Sequence, residues 1–243
     1  KKSDESSQRM MKDLMEIVES LNDHYIRELL KKILLDSKIN ERLHEWPAAK
    51  SVHHAYRGGL LEHILSCSRL SVYLSNHYKL NVNYVVAGAI IHDVCKVFEL
   101  SSGPVVDYTL EGKLIGHLVK GVELIERFSR KIENFPIDMK LHLKHIVIGH
   151  HGHLEFGSPK VPSTLEANLV HYIDFLDSKM SGLIDFARAD STSGHWTAFN
   201  RFENKSIFKK DLPHYPNQIN SAPDSKSPTN LGVMAQKLKD VKV

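Results

Sequence analysis

The segment VNYVVAGAIIHDVCKVFEL, residues 82–100, is the feature that most restricts how this chain can fold. Its apolar residues recur at helical spacing, which predicts an amphipathic helix. It also places His92, Asp93 and Lys96 among Ala, Ile, Val and Phe. A histidine, a carboxylate and an ammonium beside a core-facing surface are costly unless something pairs with them. Other segments of the chain must therefore supply partners for these three side chains.

Helical periodicity continues through most of the chain and predicts an all-α fold. The predicted helices lie at 10–21, 24–35, 59–78, 82–100, 113–130, 137–150 and 163–187, with 194–209 as a weaker candidate. Asn22 and Asp23 are expected to cap the second helix. Gly, Pro and short β-like pairs make residues 101–112 a loop or small hairpin, and 151–163 is expected to be the longest internal loop.

The composition is that of an ordinary globular domain and excludes several classes of protein. The 243 residues are enough for one main domain with small additions. No apolar run reaches the roughly 18 residues that span a bilayer, and the N-terminal residues lack the apolar core of a secretory signal. Two cysteines, Cys67 and Cys95, indicate a reduced, cytoplasmic setting. A net charge of +3 does not by itself indicate nucleic acid.

Histidine is unusually frequent, with 16 residues against 32 Lys and Arg together. Several histidines, and one late aspartate, stand where the local pattern expects a core side chain. With the pair at 92–93, these residues are His63, His92, Asp93, His117, His150, His151 and Asp174. His and Asp are ligands for divalent metal ions, so a cation would compensate the carboxylate of Asp93. Two adjacent ligands cannot close a coordination sphere, so other helices must contribute.

Taken singly, each candidate has an ordinary structural interpretation. His63 or His117 alone is more often a hydrogen-bonded interior histidine than a metal ligand. Asp174 and its neighbour Asp177 are, singly, more often caps or ion-pair partners, and either could be the late ligand. The joint pattern favours a metal centre, because so many misplaced polar residues in one domain are better explained together.

The order His63, His92-Asp93 and then Asp174 resembles the HD-domain superfamily of metal-dependent phosphohydrolases, which is named for an adjacent His and Asp. Longer stretches are similar to the HD domain of YhaM-type 3′-to-5′ exoribonucleases, from about residue 10 to 210. These stretches are AAKSVHHAYRGGLLEHILS, HDVCKVFELSSGPVVDYTLEGKLIGHL, IGHHGHLEFGSPKVPSTLEANLVHYIDFLDSKM and HWTAFNRF. The resemblance implies an all-α HD-domain helical bundle over residues 46–210, with a short loop or hairpin insertion.

The regions outside that bundle carry further expectations. Residues 1–45 are expected to form a helical segment that packs on the core. Residues 211–243 are rich in Pro, Ser and Asn and are expected to form an extended or disordered polar tail. Many members of the family carry an N-terminal OB-fold domain that grips single-stranded nucleic acid, and this sequence has no such β-rich segment. The chain begins with Lys rather than Met, as a fragment or a trimmed chain does.

The resemblance also implies which residues bind metal. One ion would be held by His63, His92, Asp93 and Asp174. A second would be held by Asp93 as a bridge together with His117, His150 and His151. Mixed imidazole and carboxylate ligands favour manganese, with Fe, Co or Ni as alternatives, over a site for Mg alone.

The implied reaction is phosphodiester hydrolysis, in which the two ions lower the pKa of bound water and stabilise charge on the phosphate. Lys96, one turn from the ligands, is placed to neutralise a phosphate oxygen. Arg57 is a candidate clamp for the substrate, and Tyr56 or Tyr108 a candidate surface on which a base could stack. The loop 151–162 is expected to control substrate access.

Three functions remain open at this point. The first is an exonuclease that degrades single-stranded RNA, or DNA, from its 3′ end. The second is hydrolysis of a small nucleotide or cyclic nucleotide on the same metal centre, which the missing OB-fold domain favours somewhat. The third is a non-catalytic HD module that binds a nucleotide or a protein. The intact set of ligands argues against the third, and a homo-oligomer is compatible with all three.

Overall fold

The computed structural model of the chain describes residues 4–49, 56–101 and 106–209. Within these ranges the chain is a bundle of helices joined by short loops, which confirms the all-α prediction. The helices are α1 (Asp4–Glu19), α2 (His24–Leu34), α3 (Ser37–Leu43), α4 (Gly59–Tyr78), α5 (Val82–Val94), α6 (Lys96–Glu99), α7 (Leu110–Leu114), α8 (Gly116–Ser129), α9 (Ile137–Gly149) and α10 (Leu165–Ala189). No helix in the described ranges is long and apolar enough to cross a membrane. The predicted tail, 211–243, lies outside these ranges.

Helix α5 is the centre of the bundle because it is apolar on every side. All ten residues from Val85 to Val94 are buried, and α2, α4, α8, α9 and α10 pack around it. Full burial of each Val or Ile in it contributes about 1.5–3 kcal/mol. His92 and Asp93 stand in its last turn, so the packing of the whole bundle carries both side chains into the interior.

The N-terminal helices α1–α3 share the main hydrophobic core with α4 and α5 rather than forming a core of their own. Asp23 Oδ1 accepts a hydrogen bond from the Ile26 amide at 2.9 Å, which is the predicted cap of α2. Asp36 caps the short helix α3 in the same way. The division of the chain between residues 45 and 46 stays a prediction.

Two helices predicted as continuous are each broken in the structure. The predicted helix 82–100 is α5 and α6, separated at Cys95, where ψ is −6° instead of the helical value of about −42°. The predicted helix 113–130 is α7 and α8, and they meet at Ile115, which has φ −116°. The apolar periodicity continues across both breaks and hides them, although Gly116, which has φ +75°, is a local signal at the second. The first break leaves Lys96 at the start of a new helix beside Asp93.

The weaker helix prediction, 194–209, is wrong. This segment is extended and folds back on itself through the bridges Trp196–Phe208 and Asn200–Lys205. The Thr197 amide donates to the Ile207 carbonyl at 2.9 Å. Aromatic residues and Thr favour extended pairing over helix, and this preference outweighs the weak periodicity. By contrast, the prediction of a loop or small hairpin at 101–112 agrees with the bridge between Leu100 and Tyr108, except that residues 110–112 belong to α7.

Candidate metal centre

The seven predicted ligands come from five helices and converge at one end of α5. His63 lies in α4, His92 and Asp93 end α5, His117 begins α8, His150 and His151 follow α9, and Asp174 lies in α10. Five of the seven are buried, and His151 and Asp174 are partly buried. They form two ligand groups on either side of Asp93.

The first ligand group is His63, His92, Asp93 and Asp174, with ligating atoms within 4.8 Å of one another. His63 Nε2 lies 3.2 Å from His92 Nε2 and 3.3 Å from Asp174 Oδ1. Asp93 Oδ2 lies 3.5 Å from His63 Nε2 and 3.6 Å from His92 Nε2. Two ligands about 2.1 Å from a shared ion stand about 3.0–3.5 Å apart. The spacing of this group therefore fits one divalent cation.

The second ligand group is His117, His150 and His151, whose ligating atoms also lie within 4.8 Å of one another. His151 Nε2 is 3.2 Å from His117 Nε2. The other oxygen of Asp93, Oδ1, faces this group, at 3.6 Å from His117 Nε2 and 3.8 Å from His150 Nε2. One carboxylate thus turns one oxygen to each group, as a ligand shared between two ions would.

All five histidines are oriented by a hydrogen bond at Nδ1. The acceptors are Asp177 Oδ2 for His63 at 2.7 Å, the Ala89 carbonyl for His92 at 2.9 Å, Glu99 Oε1 for His117 at 3.0 Å, the Val147 carbonyl for His150 at 2.7 Å and the Phe156 carbonyl for His151 at 2.9 Å. Donation at Nδ1 leaves the Nε2 lone pair of each neutral ring free to bind a metal ion. The Nε2 atoms of His63, His92, His117 and His150 lie within 4 Å of an oxygen of Asp93, and Nε2 of His151 faces Nε2 of His117.

These contacts suit a metal site better than a network of hydrogen bonds. Nε2 atoms that carry lone pairs repel one another at 3.2 Å unless a cation lies between them. Asp93 is 2% exposed, and its Oδ1 has no hydrogen-bond partner among the described residues. A buried carboxylate oxygen without a partner is costly. Divalent cations would remove both costs, so the donor set fits the metal that the sequence predicts.

Electrostatics hold two of the ligands, Asp93 and His150, in the protonation states that metal binding requires. Burial would raise the pKa of Asp93, but Lys96 and the neighbouring histidines outweigh it and hold that pKa well below its usual range. Burial, together with His92, keeps the pKa of His150 well below its usual value. Lys96 donates to Asp93 Oδ2 at 2.7 Å, and attraction to Asp93 and Asp174 raises the pKa of Lys96 against the effect of burial. Asp93 is therefore charged and His150 neutral at neutral pH. At His63 the neighbouring Cys67, Asp174 and Asp177 outweigh burial and raise the pKa above its usual value, so an ion bound there would displace a proton from this ring.

A third group, His63, Cys67 and Asp177, shares His63 with the first. Burial raises the pKa of the Cys67 thiol to about 11, so that thiol is protonated at neutral pH and a poor ligand. Asp177 contacts Nδ1 of His63 and accepts a short hydrogen bond from Ser66. Of the two aspartates considered from the sequence, Asp174 faces Nε2 of His63 and Asp177 supports the ring from behind.

Sequence reasoning missed Glu99, whose Oε1 accepts from both Nδ1 and the backbone amide of His117. Glu99 lies three residues after Lys96, and the predicted loop 101–112 separates it from His117 in the sequence. Neither relation indicates that Glu99 and His117 meet. The role of Asp177 was also missed, since the sequence places it only one helical turn from Asp174. A position on a helix does not indicate which nitrogen of a distant ring a carboxylate will face.

The remaining predicted residues, Arg57, Tyr56 and Tyr108, lie at the surface. Arg57 pairs with Glu45, Nη2 to Oε1 at 2.5 Å, with both side chains about half exposed. Tyr56 donates to Glu62 at 2.5 Å, and Tyr108 lies beside the short hairpin. The roles of these three residues in binding substrate stay predictions. The loop 151–162 leaves the second ligand group directly and contains a single 3-10 turn at Leu154–Phe156.

The helical bundle with paired His and Asp groups defines an HD domain, and residues 60–179 match that family under the description "HD domain". All seven predicted ligands fall within the matched residues. The chain belongs to the HD-domain superfamily of metal-dependent phosphohydrolases.

Among curated proteins the chain is similar to the 3′-5′ exoribonuclease YhaM of Geobacillus sp. (strain WCH70). The two are 36% identical over 204 residues, which cover 82% of this chain and 61% of that protein. The chain therefore spans less than two thirds of the length of this relative. No solved structure gives a significant match.

Proposed function

We propose that this chain hydrolyses the phosphodiester bonds of single-stranded RNA from the 3′ end, with two divalent metal ions, manganese first among them. The observation that carries the proposal is the position of Asp93 between two groups of inward-facing Nε2 atoms. The similarity to YhaM, a 3′-5′ exoribonuclease, supports the choice of substrate.

When bound, divalent ions supply Lewis acidity, which acidifies water and offsets charge on the phosphate. In this proposal His63, His92, Asp93 and Asp174 hold one ion, and Asp93, His117, His150 and His151 hold the other. Asp177 and Glu99 fix the tautomers of His63 and His117. The chain's own contribution is thus to present seven ligands in a largely buried site.

Lys96 has a separate role in the proposal. Its side chain is 16% exposed and its ammonium group contacts Asp93 Oδ2, so it sits at the edge of the centre with its charge retained. A cation placed there stabilises the extra negative charge that a phosphate gains as it is attacked. We assign it to the scissile phosphate, and Arg57 to a phosphate further along the strand. A cytoplasmic location, which two free and buried cysteines suit, is part of the same proposal.

The test is incubation of manganese-loaded protein with 5′-labelled single-stranded RNA, with Asp93→Ala as the control. A ladder that shortens from the 3′ end, absent in Asp93→Ala, is the expected result. The same RNA annealed to a complement, and the matching DNA, define the preferred strand.

A panel of nucleoside phosphates and cyclic nucleotides separates the alternative. Hydrolysis of small nucleotides without shortening of RNA would contradict the exonuclease proposal. It would instead support a nucleotide phosphohydrolase that uses the same metal centre. No turnover of any substrate with Mn, Fe, Co or Ni would contradict catalysis and leave a binding module.

A further inference from the structure

An open cleft of about 300 Å³ adjoins both ligand groups. It is lined by His150, His151, Phe156, His171, Asp174, Phe175 and Ser178. Three of these residues are predicted metal ligands, so whatever fills the cleft also contacts the metal centre. The volume is at the lower end of the range for ligand pockets, about 300–1,000 Å³, and suits one nucleoside better than a base pair.

Three rings that line the cleft, Phe156, His171 and Phe175, are joined through His153 into a continuous aromatic arc. Successive ring centroids are 5.3 Å apart for Phe156 and His153, 6.1 Å for His153 and His171, and 6.4 Å for His171 and Phe175. These spacings are those of interacting rings. The arc connects the loop after the second ligand group to the helix that carries Asp174.

The two ends of the arc are open to solvent, whereas its middle is anchored. Phe156 is 64% and Phe175 54% exposed, so neither ring serves the hydrophobic core. His171 donates through Nδ1 to the His150 carbonyl at 2.8 Å. A Cβ at residue 152 would collide with the His171 ring, so Gly152 lets the loop backbone lie against it. The arc is therefore fixed relative to His150 and presents its apolar ends outward.

We propose that the aromatic arc is the subsite for the 3′-terminal nucleoside of a single-stranded substrate, with the base stacked on Phe156 and Phe175. The inference rests on the proposed function and names the part of the substrate that the cleft takes. Aromatic rings bind bases through their faces without regard to sequence. A base that is still paired cannot offer a free face, so the arc selects unpaired ends.

The position of the cleft fixes which product occupies it. In the proposed hydrolysis the oxygen of water bonds to phosphorus, the P–O3′ bond breaks, and a proton from water ends on O3′. The released product is a nucleoside 5′-monophosphate, and the shortened strand keeps a 3′-hydroxyl. In this arrangement the phosphate of the nucleoside 5′-monophosphate lies at the ligand groups and its base lies at the arc. AMP therefore probes the ligand groups and the arc together, whereas inorganic phosphate probes the ligand groups alone.

The test is calorimetric titration of manganese-loaded protein with AMP and, separately, with inorganic phosphate. The double variant Phe156→Ala, Phe175→Ala is expected to bind AMP about ten-fold more weakly, since one stacked base contributes about 1–3 kcal/mol. Its phosphate affinity is expected to change less than about two-fold, since the ligand groups are untouched. Both substituted side chains are largely exposed, so the variant should fold as the wild type does.

The matched control is Tyr73→Ala, an aromatic side chain of similar exposure, 60%, on α4. It lies ten residues beyond His63, which is about 15 Å along the helix axis. The proposal is overturned if AMP and phosphate bind the wild type equally well, if their affinity ratio survives the double substitution, or if Tyr73→Ala lowers the ratio equally. Its failure is distinct from that of the proposed function. If the protein shortens RNA but the double variant keeps the wild-type ratio of AMP affinity to phosphate affinity, only the subsite proposal fails. If AMP binding depends on Phe156 and Phe175 but RNA is not shortened, only the exonuclease proposal fails.

Discussion

Asp93 faces two sets of imidazole nitrogens because its carboxylate ends α5 where four other helices meet. Its oxygens are 3.5–3.6 Å from the histidines of the first group and 3.6–3.8 Å from His117 and His150 of the second. Each histidine ring is already turned by its own hydrogen bond at Nδ1. Two of the five acceptors, Asp177 and Glu99, are carboxylates, and one supports each ligand group. A charged acceptor makes the imidazole more basic and so a stronger ligand.

Asp177→Asn tests this support at the first group. The amide keeps the size of the side chain but removes the negative charge behind His63. Metal affinity is expected to fall about 10–100-fold, because the second-layer partner of a ligand is worth that much. Metal content measured after dialysis against limiting manganese gives the result.

Asp185→Asn, an exposed change on the same helix, is the control and should leave metal content unaltered. Asp174→Ala is expected to remove one ion outright. If instead only substitution of Asp177 strips the ion, the late ligand lies one helical turn further along α10 than proposed.

Lys96→Met tests the ion pair beside the centre. Without metal the variant leaves Asp93 as an uncompensated buried charge, and loss of about 3–5 kcal/mol of stability is expected. Manganese should restore part of this loss, because the metal compensates the same carboxylate. Urea unfolding with EDTA and with manganese measures both values. An equal loss under the two conditions would show that Lys96 stabilises something other than the charge of Asp93.

Helices α5, α9 and α10 can bring their ligands together because Gly88 lets them approach. A Cβ at residue 88 would lie 2.6 Å from Ile146 Cγ2 and 2.8 Å from Val170 Cγ2. One turn after Gly88, α5 presents His92, and one turn after Ile146 and Val170 the other helices present His150 and Asp174. The same close contact therefore sets the distance between ligands of both groups.

Gly88→Ala is expected to force these helices apart. Overpacking of this kind costs about 1–3 kcal/mol of stability, and metal affinity should fall with it. Thermal unfolding and metal titration are the measurements. Gly182→Ala, where a Cβ on α10 would meet open space, is the matched control and should be neutral or slightly stabilising. Wild-type metal affinity in Gly88→Ala would show that the centre does not depend on this contact.

Helices α8 and α9 are joined on the outside by Glu126. Its carboxylate accepts from Lys144 at 2.7 Å, from Lys140 at 3.3 Å and from Arg130 at 2.9 Å. These hydrogen bonds lower the pKa of Glu126 from 4.5 to about 2. A group with a lowered pKa in the folded state stabilises that state above its unfolded pKa and ceases to do so as pH falls through the folded pKa.

Glu126→Gln should therefore be less stable than the wild type above about pH 4.5. The difference in free energy of unfolding is expected to shrink as pH falls from there towards about 2. Urea unfolding across this range measures it, with Glu133→Gln at an exposed site as the control. A difference that does not depend on pH would show that Glu126 acts through packing and not through its charge.

At the scale of the whole molecule, the ligands of the proposed metal centre come from separate parts of the chain, so metal binding and folding should be coupled. A ligand that binds only the folded state adds stability, about 2.7 kcal/mol at a hundred-fold excess over its Kd. Manganese should raise the Tm and EDTA should return it to the metal-free value. Asp93→Ala should show no such response, because it removes the ligand common to both groups. If elemental analysis finds no bound metal in wild-type protein that has been incubated with manganese, the proposed metal centre is contradicted.

The helices that were predicted correctly from the sequence are those with clear caps and regular apolar spacing. The predictions 59–78 and 137–150 agree closely with α4 and α9, because caps and apolar spacing are local properties. The breaks at Cys95 and Ile115 do not follow from apolar periodicity, which crosses both, and only the second has a local signal, in Gly116. The extended pairing at 194–209 depends on the bridges Trp196–Phe208 and Asn200–Lys205, whose spacings do not follow the helical repeat.

By itself, the sequence determined the fold class and the residue types that a metal centre needs. Both can be recognised locally, from the spacing of apolar residues and from polar residues at positions where that spacing expects an apolar one. Only the tertiary structure decided which nitrogen each histidine offers, that Asp93 turns one oxygen to each group, and that Asp177 and Glu99 stand behind the ligands. It also assembled the aromatic arc from a loop and a helix. The reason is physical: ring orientation and carboxylate sharing depend on distances between segments, and these distances are set by how the helices pack around α5.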